Sequence, residues 1–553
     1  MGMFDRWLTG FRPYLLLGLL CLLLYAPGIA SIPPLDRDEA RFTQATRQML
    51  ETGDFLHIRF QDEARNRKPA GIYWLQAAAV ALFSDAESTA IWPYRLVSLI
   101  GASAAVLLTF VFGRALFAAR DAPPRAAFAG AVLLAGMLGL AAEAHIAKTD
   151  AMLLATIVAG QGALGLVYTR ARAGLPVAVW IAAVFWLAEA AAILLKGPPA
   201  PALAIVTAAA LSIADRDARW LRGLRPLAGI VVLALIVLPW LVAIQSATGG
   251  RFVADSLGGD LLAKLVGAQE SHGAPPLSYL ALAILTLWPA SLFLVPAFVR
   301  AWRRRDEPPE RILLAWIVPA WILLELVPTK LPHYALPLYP AIALAAGAAL
   351  GDFVPFARAS WAVWTDIAVR SLWAIATLAL AATLIVLPLR FDAGVSLIGV
   401  VGAALMVGIA ALLLYRPVGI AVLPLVAALS VAFIGIAAAG VLPGLDRLWL
   451  SRSAADLVAL HPPRNGDPLV VVGYSEPSLV FLLGTDLHLA SGAVAAEMLA
   501  GGGEALVGGR ENAMFHQSLA ARGLVAERLG ETRGIDYSNG QHMVLTLYLV
   551  RRG

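Results

Sequence analysis

Apolar residues in this chain fall into long, almost uninterrupted runs, not the one-faced stripes or alternations of a water-soluble fold. Candidate spans read off these runs lie at about 13–32, 93–117, 126–144, 151–168, 176–195, 199–214, 226–245, 277–300, 311–328, 334–351, 369–389, 394–415 and 418–441. Most are close to the roughly 20 residues that cross a bilayer as a helix. Membrane barrels need shorter, alternating strands, so the pattern predicts a polytopic α-helical membrane protein of about 13 transmembrane helices. Three stretches depart from it. Residues 33–92 mix charges with two amphipathic segments, Glu39–Thr52 and Gly71–Ser84, which are expected to lie at the interface. Residues 246–276 are rich in Gly and polar side chains, and 445–553 are soluble-like. In this last stretch Pro468–Tyr474 reads as a buried strand. Ser475-Glu476-Pro477 follows as a helix start with Ser as cap, and Met543–Val550 alternates as a second strand. The division expected is therefore a transmembrane domain over 1–444, with 33–92 and 246–276 as its large loops, and a small α/β domain over 445–553.

Composition agrees: of 553 residues 60% are apolar and 14% charged, against roughly 25% charged in an ordinary soluble protein. The single cysteine, Cys21, rules out a disulfide scaffold. A net charge of +5 does not point to nucleic acid, because the arginines are scattered in short clusters between apolar runs. Those clusters, including Arg114/Arg120/Arg125, Arg216/Arg219/Arg222/Arg225 and Arg300/Arg303/Arg304/Arg305, fall on alternate loops. Positive charge is retained in the cytoplasm, which puts the N-terminus inside and the C-terminal domain outside. The first apolar run is too long for a signal-peptide core and is expected to be a retained anchor.

On that topology the informative ionisable groups map to the outer side, where a charge near lipid costs several kcal/mol unless paired or wet. Asp36-Arg37-Asp38-Glu39-Ala40-Arg41 follows the first span. Asp38 and Arg41, three apart, share a helix face, although Asp38 and Glu39 could equally cap that helix. Arg65-Asn66-Arg67-Lys68-Pro69 packs three cations into four positions and calls for an anionic partner, either phospholipid headgroups or a phosphate substrate; Tyr73 and Trp74 follow it. His145-Ile146-Ala147-Lys148-Thr149-Asp150, Leu195-Lys196-Gly197 and Thr329-Lys330-Leu331-Pro332-His333 complete the set. Each alone has a plain reading as a polar turn or snorkelling lysine, but five such sites on one face describe a cleft. The chain carries neither a dinucleotide fingerprint nor a Walker loop nor a hydrolase elbow. For a divalent cation the available outer groups are Asp38, His145, Asp150, His272 and His333.

The ordered set Asp38-Glu39-Ala40-Arg41-Phe42, Arg47-Gln48-Met49-Leu50-Glu51-Thr52-Gly53-Asp54 and Lys68-Pro69-Ala70-Gly71-Ile72-Tyr73-Trp74 resembles the first outer loop of the glycosyltransferase C superfamily. It is closest to the 4-amino-4-deoxy-L-arabinose transferases of lipid A and their protein O-mannosyltransferase relatives. Leu195-Lys196-Gly197 and Lys330-Leu331-Pro332-His333-Tyr334 agree, and the resemblance covers roughly residues 10–445. It implies an inverting transfer of a sugar from an undecaprenyl-phosphate carrier to lipid A or another envelope acceptor on the periplasmic face of the bacterial inner membrane. It also implies Asp38 as the catalytic carboxylate and Asp150 as a second one, with Arg41, Lys68 and Lys330 at the carrier phosphate; Arg67, Tyr73, Lys196 and His333, on the same outer side, are further candidates to line the phosphate and sugar. One residue departs from the pattern: the aminoarabinose transferases typically carry Glu before the Lys-Pro pair, and this chain has Arg67. The reversal of charge favours a neutral or acidic sugar over an amino sugar, and leaves a divalent metal there without its carboxylate.

The chemistry suits these residue types. Negative charge grows on the departing phosphate as the glycosyl bond breaks, so cations there stabilise the transition state more than the ground state. A hydroxyl acceptor needs a carboxylate base, whereas an anionic lipid A phosphate needs only positioning. The alternatives are transfer to protein Ser/Thr and, outside the enzymes, a lipid-linked sugar flippase. Transporters keep ionisable groups near the midplane, and here the charges expected to matter lie at one face.

Overall fold

With no water to bond in the bilayer core, a spanning segment must pair its own N–H and C=O groups, and each of the thirteen apolar runs coincides with helix. The computed structural model describes residues 8–118, 123–256, 258, 273–352, 360–463 and 467–553; His272 and most of the 246–276 stretch lie outside them. In chain order the helices are α1 (Arg12–Tyr25), α2 (Asp38–Thr52), α3 (Gly71–Phe83), α4 (Trp92–Leu116), α5 (Pro123–Gly136), α6 (Leu138–Ala144), α7 (Asp150–Arg172), α8 (Val179–Lys196), α9 (Pro199–Asp215) and α10 (Pro226–Ala247). There follow α11 (Ser278–Thr286), α12 (Leu294–Arg303), α13 (Pro308–Leu326), α14 (Tyr339–Gly351), α15 (Ser360–Arg390), α16 (Leu397–Tyr415) and α17 (Leu423–Ile436).

Among the described residues eight helices are long and apolar enough to cross a membrane, or ten if two bent pairs each count as one span. The shortfall from thirteen has a local cause in each case. α1 and α9 are short, and α13 carries Glu310, Arg311 and Glu325 within its 19 residues. The bent pairs turn by 61° between α5 and α6 and by 113° between α11 and the helix ending at Arg303. At the first break Met137 is extended, and the Leu138 amide is rescued by the Trp288 carbonyl at 2.8 Å. α7 and the span ending in α14 lie at the centre, with 78% and 83% of their apolar windows buried, whereas α10 is only 22% buried and exposes Leu227 and Leu235 as a lipid-facing helix does.

α2 and α3 are the two segments expected at the interface, and a short hairpin, β1 (Arg59–Phe60) with β2 (Glu63–Ala64), lies between them. After α18 (Leu450–Leu460) comes a five-stranded mixed sheet in the order β4-β3-β5-β7-β6. β3 (Leu469–Val472) is parallel to β4 (His488–Ala490) and β5 (Gly503–Gly508); β7 (Gln541–Arg552) is antiparallel to β5 and to β6 (Leu524–Asp536). Helices α19 (Pro477–Leu483), α20 (Gly492–Met498) and α21 (Asn512–Ala520) complete the domain. Pro477 is the first residue of α19 as expected, but the cap position belongs to Glu476 and not to Ser475.

Candidate active site

The turn before α2 separates two adjacent carboxylates. Asp38 is exposed, while Glu39 is wholly buried and does not act as a cap. Glu39 Oε1 accepts the Ala147 amide at 2.7 Å and Arg95 Nε at 2.9 Å, and Oε2 accepts the Leu35 amide at 2.8 Å and Arg95 Nη2 at 2.7 Å. Arg95, also fully enclosed, spends its other donors on the carbonyls of Ile29, Ile32 and Pro33. One carboxylate thus ties three things together: the segment leading to Asp38, helix α4, and the loop 145–149. Glu39 and Arg95 satisfy each other in a site closed to solvent, the condition under which a buried pair persists.

That loop delivers the second group of charges. Lys148 Nζ lies 3.0 Å from Glu143 and 3.8 Å from Asp150; Asp150 lies 2.5 Å from Lys196 and 4.0 Å from His333. Burial by itself would lower the Lys148 ammonium, but the carboxylates of Glu143 and Asp150 outweigh it and hold it above the ordinary lysine value. The Lys196 ammonium also sits over the Tyr334 ring at 5.9 Å. The negative charge of Asp38 adds a small contribution at Lys148, Tyr73 and His333, so the exposed carboxylate stands in the neighbourhood of the same cluster.

Two close helix approaches set this geometry. A Cβ on Gly101 of α4 would stand 2.6 Å from the Met152 backbone, so the glycine lets α4 press against the first turn of α7, which begins at Asp150. A Cβ on Gly71 would stand 2.6 Å from the Leu194 carbonyl oxygen. The bare glycine brings the start of α3, three residues after Lys68, against the end of α8 that carries Lys196. The loop 65–68 is held from the far side too, by Asn66 to Asp255 at 3.1 Å and Ser256 to the Arg67 carbonyl at 3.5 Å.

Of the residues singled out in the sequence, Asp38, Asp150, Lys196 and His333 come together. Arg41 and Lys68 are half-buried and Arg67 is exposed. Tyr73 is fully enclosed with its ring 5.3 Å from Phe42. Lys330 donates to the carbonyls of Val327 at 2.7 Å and Ala274 at 3.1 Å, and so ties its own loop to the segment that starts at Gly273. His145 turns its two ring nitrogens to the Ala141 and Pro27 carbonyls, at 2.7 and 2.8 Å, which leaves neither for a metal. Among the described residues no three His, Cys, Asp or Glu side chains are grouped to hold a metal ion. Sequence reasoning passed over Glu143 and Arg95. Both are ionisable residues inside otherwise apolar runs, and that isolation was the available signal.

No protein-family profile matches the chain. It is 30% identical over 341 residues, 60% of its length, to an undecaprenyl phosphate-alpha-4-amino-4-deoxy-L-arabinose arabinosyl transferase of Pseudomonas paraeruginosa, and 28% identical over 344 residues to one from Pseudomonas fluorescens. The match spans 59% of each of these relatives. Among solved structures it superposes with a TM-score of 0.73, at 20% identity and over 98% of both chains, on ArnT from Cupriavidus metallidurans bound to undecaprenyl phosphate. The Archaeoglobus fulgidus oligosaccharyltransferase in its apo form superposes at 0.52 and 13% identity, over 88% of this chain and 65% of that one.

Proposed function

We propose, on the premise of a fold shared over 98% of the chain with ArnT from Cupriavidus metallidurans, that the chain is an inverting glycosyltransferase of the glycosyltransferase C type. It moves a sugar from an undecaprenyl-phosphate carrier to lipid A, or to another envelope acceptor, at the periplasmic face of the inner membrane. The distribution of arginines supports a cytoplasmic N-terminus and a periplasmic C-terminal domain. The observation that carries the reading is the placement of one exposed carboxylate, Asp38, opposite a buried cluster of Lys148, Asp150, Lys196 and His333, in a fold shared with an enzyme solved with undecaprenyl phosphate.

In this reading the carrier phosphate lies against Arg41, Lys68 and Lys196. As the bond from the anomeric carbon to the phosphate oxygen lengthens, charge accumulates on the phosphate, and cations already fixed in place stabilise it without reorganising. Asp150 holds Lys196 at 2.5 Å and so fixes where that ammonium points. Asp38 takes the proton of an acceptor hydroxyl as it attacks the opposite face of the sugar. For a lipid A phosphate it orients an acceptor that is already anionic. Arg67 occupies the sequence position, just before Lys68-Pro69, where the resemblance expects Glu, and this reversal of charge supports a neutral or acidic sugar.

The test is reconstitution in liposomes with lipid A and two donors, undecaprenyl-phosphate-linked aminoarabinose and a neutral-sugar counterpart, reading the mass of lipid A. The wild type adds a sugar, preferring the neutral donor, and Asp38→Asn loses about 10²–10⁴-fold in rate while still folding. Full activity in Asp38→Asn, or movement of donor across the bilayer with no glycosylated product, overturns the assignment.

A further inference from the structure

The C-terminal α/β domain grips the turn that presents Asp38, and it does so through a strained residue. Arg37 has φ 63° and ψ −108°, close to the first central position of a type II′ turn, which glycine favours and an arginine enters only under constraint. The constraint comes from residues more than 400 positions away. The Arg37 guanidinium donates to the Ser538 carbonyl in the β6–β7 turn. The Asp36 amide donates to the Tyr537 hydroxyl at 2.7 Å, and that hydroxyl also bonds the Asp36 carboxylate. The same carboxylate accepts the Ser478 amide at 3.3 Å and the Ser478 hydroxyl, both at the start of α19.

Behind Asp36 the hydroxyls continue into the domain. Ser478 lies 2.6 Å from Ser451, and Ser451 lies 2.7 Å from the Tyr474 hydroxyl. Tyr474, Ser451 and Ser478 thus form a contiguous run of hydroxyls ending at the Asp36 carboxylate, and such a run ties the start of α19 to the turn before α2. Further along, α19 and the turn after it lie against the middle and end of α2. Arg47 donates to the Phe481 carbonyl at 2.9 Å, Gln44 to Thr485 at 2.7 Å, and Thr485 to Glu51 at 2.8 Å.

We propose that Ser478 and Tyr537 are positioning residues for the transfer reaction: through Asp36 and the strained Arg37 they clamp the turn that aims Asp38 at the cation cluster. The C-terminal domain is on this account part of the catalytic apparatus without touching substrate. The proposal rests on the glycosyltransferase reading above. A misplacement of about 1 Å costs on the order of a hundredfold when the shifted group must meet a reacting atom, so the clamp acts on turnover more than on binding.

The test compares wild type, Ser478→Ala/Tyr537→Phe, and the same pair with Arg37→Gly, as full-length protein in liposomes with undecaprenyl-phosphate-linked sugar and lipid A. The double variant should lose about ten- to a hundredfold in kcat, while donor KM and affinity for undecaprenyl phosphate stay near wild type and the melting temperature falls by only the few degrees that orphaned hydroxyl partners cost. Arg37→Gly should recover much of the loss, because glycine adopts the turn without the clamp. Hydrogen exchange of the peptide 35–42 reads the clamp without reference to activity, and should quicken in the double variant. Unchanged kcat and exchange, a kcat loss accompanied by lost lipid binding and substantial unfolding at the assay temperature, or no rescue by glycine each overturn the proposal. If exchange quickens but the wild type transfers no sugar, the glycosyltransferase reading fails and the clamp's catalytic role goes with it.

Discussion

Glu39→Ala is the most informative single perturbation of this fold. The substitution removes both oxygens of a carboxylate that is fully buried with Arg95 and accepts four hydrogen bonds between 2.7 and 2.9 Å. Arg95 keeps its three carbonyl acceptors, so it stays in place as a buried cation with no counter-charge. Breaking a buried pair in this way costs about 3–5 kcal/mol, and the orphaned Leu35 and Ala147 amides add to it at about 1–3 kcal/mol each. Glu39→Gln keeps the volume but aims an NH2 at a donor, so it should fall between wild type and alanine. Arg95→Met should be similarly costly, whereas Glu39→Ala/Arg95→Met should cost clearly less than the sum, with a coupling of about 2–3 kcal/mol. Reversible unfolding in mixed micelles, followed through the cycle, gives these numbers, and sugar transfer measured beside it should collapse in Glu39→Ala because the Asp38 turn and the Lys148 loop lose their common anchor. Single variants within about 1 kcal/mol of wild type, or a strictly additive double variant, would show that the pair does not hold the two segments together.

Gly71→Ala should weaken undecaprenyl phosphate binding and cost about 1–3 kcal/mol by overpacking. The added Cβ meets the Leu194 carbonyl, a backbone atom that cannot swing away, and so pushes the Lys68 loop from Lys196; a lipid-binding titration equal to wild type would contradict this. Docking of the C-terminal domain should depend on pH through Glu476, whose carboxyl is pushed up to about 7 by burial, then by the negative charges of Asp36 and Asp536, against the pull of Arg37. A carboxyl raised on folding favours the folded state fully below its ordinary value of 4.5, and that contribution is lost as pH rises through about 7. Melting temperature should therefore decline between pH 5 and 8 more steeply in wild type than in Glu476→Gln, and parallel curves would remove Glu476 as the cause.

Much of this molecule is local and is therefore readable along the chain. The length of an apolar run decides whether a segment must become helix, and period and turn residues decide that Leu469–Val472 and Gln541–Arg552 become strands. Residue type and crowding are local as well, which is why the Asp38 turn, the Lys68 loop, the Lys148–Asp150 loop and Lys196 stand out among so few charges. Which charge meets which is not local. Glu39 finds Arg95 56 positions on, Asp150 finds Lys196 46 positions on, and Asp36 finds Ser478 442 positions on. Along the chain, spacing relates only neighbours one helical turn apart. The same chemistry in Lys330 goes to two backbone carbonyls, one in its own loop and one 56 positions away at Ala274, a partner that spacing does not foretell. The ingredients and the helical plan are thus properties of the sequence. The selection among ingredients, including the grip of a distant soluble domain on the Asp38 turn, belongs to tertiary packing, because a buried charge settles only where a partner and dry surroundings are brought to it together.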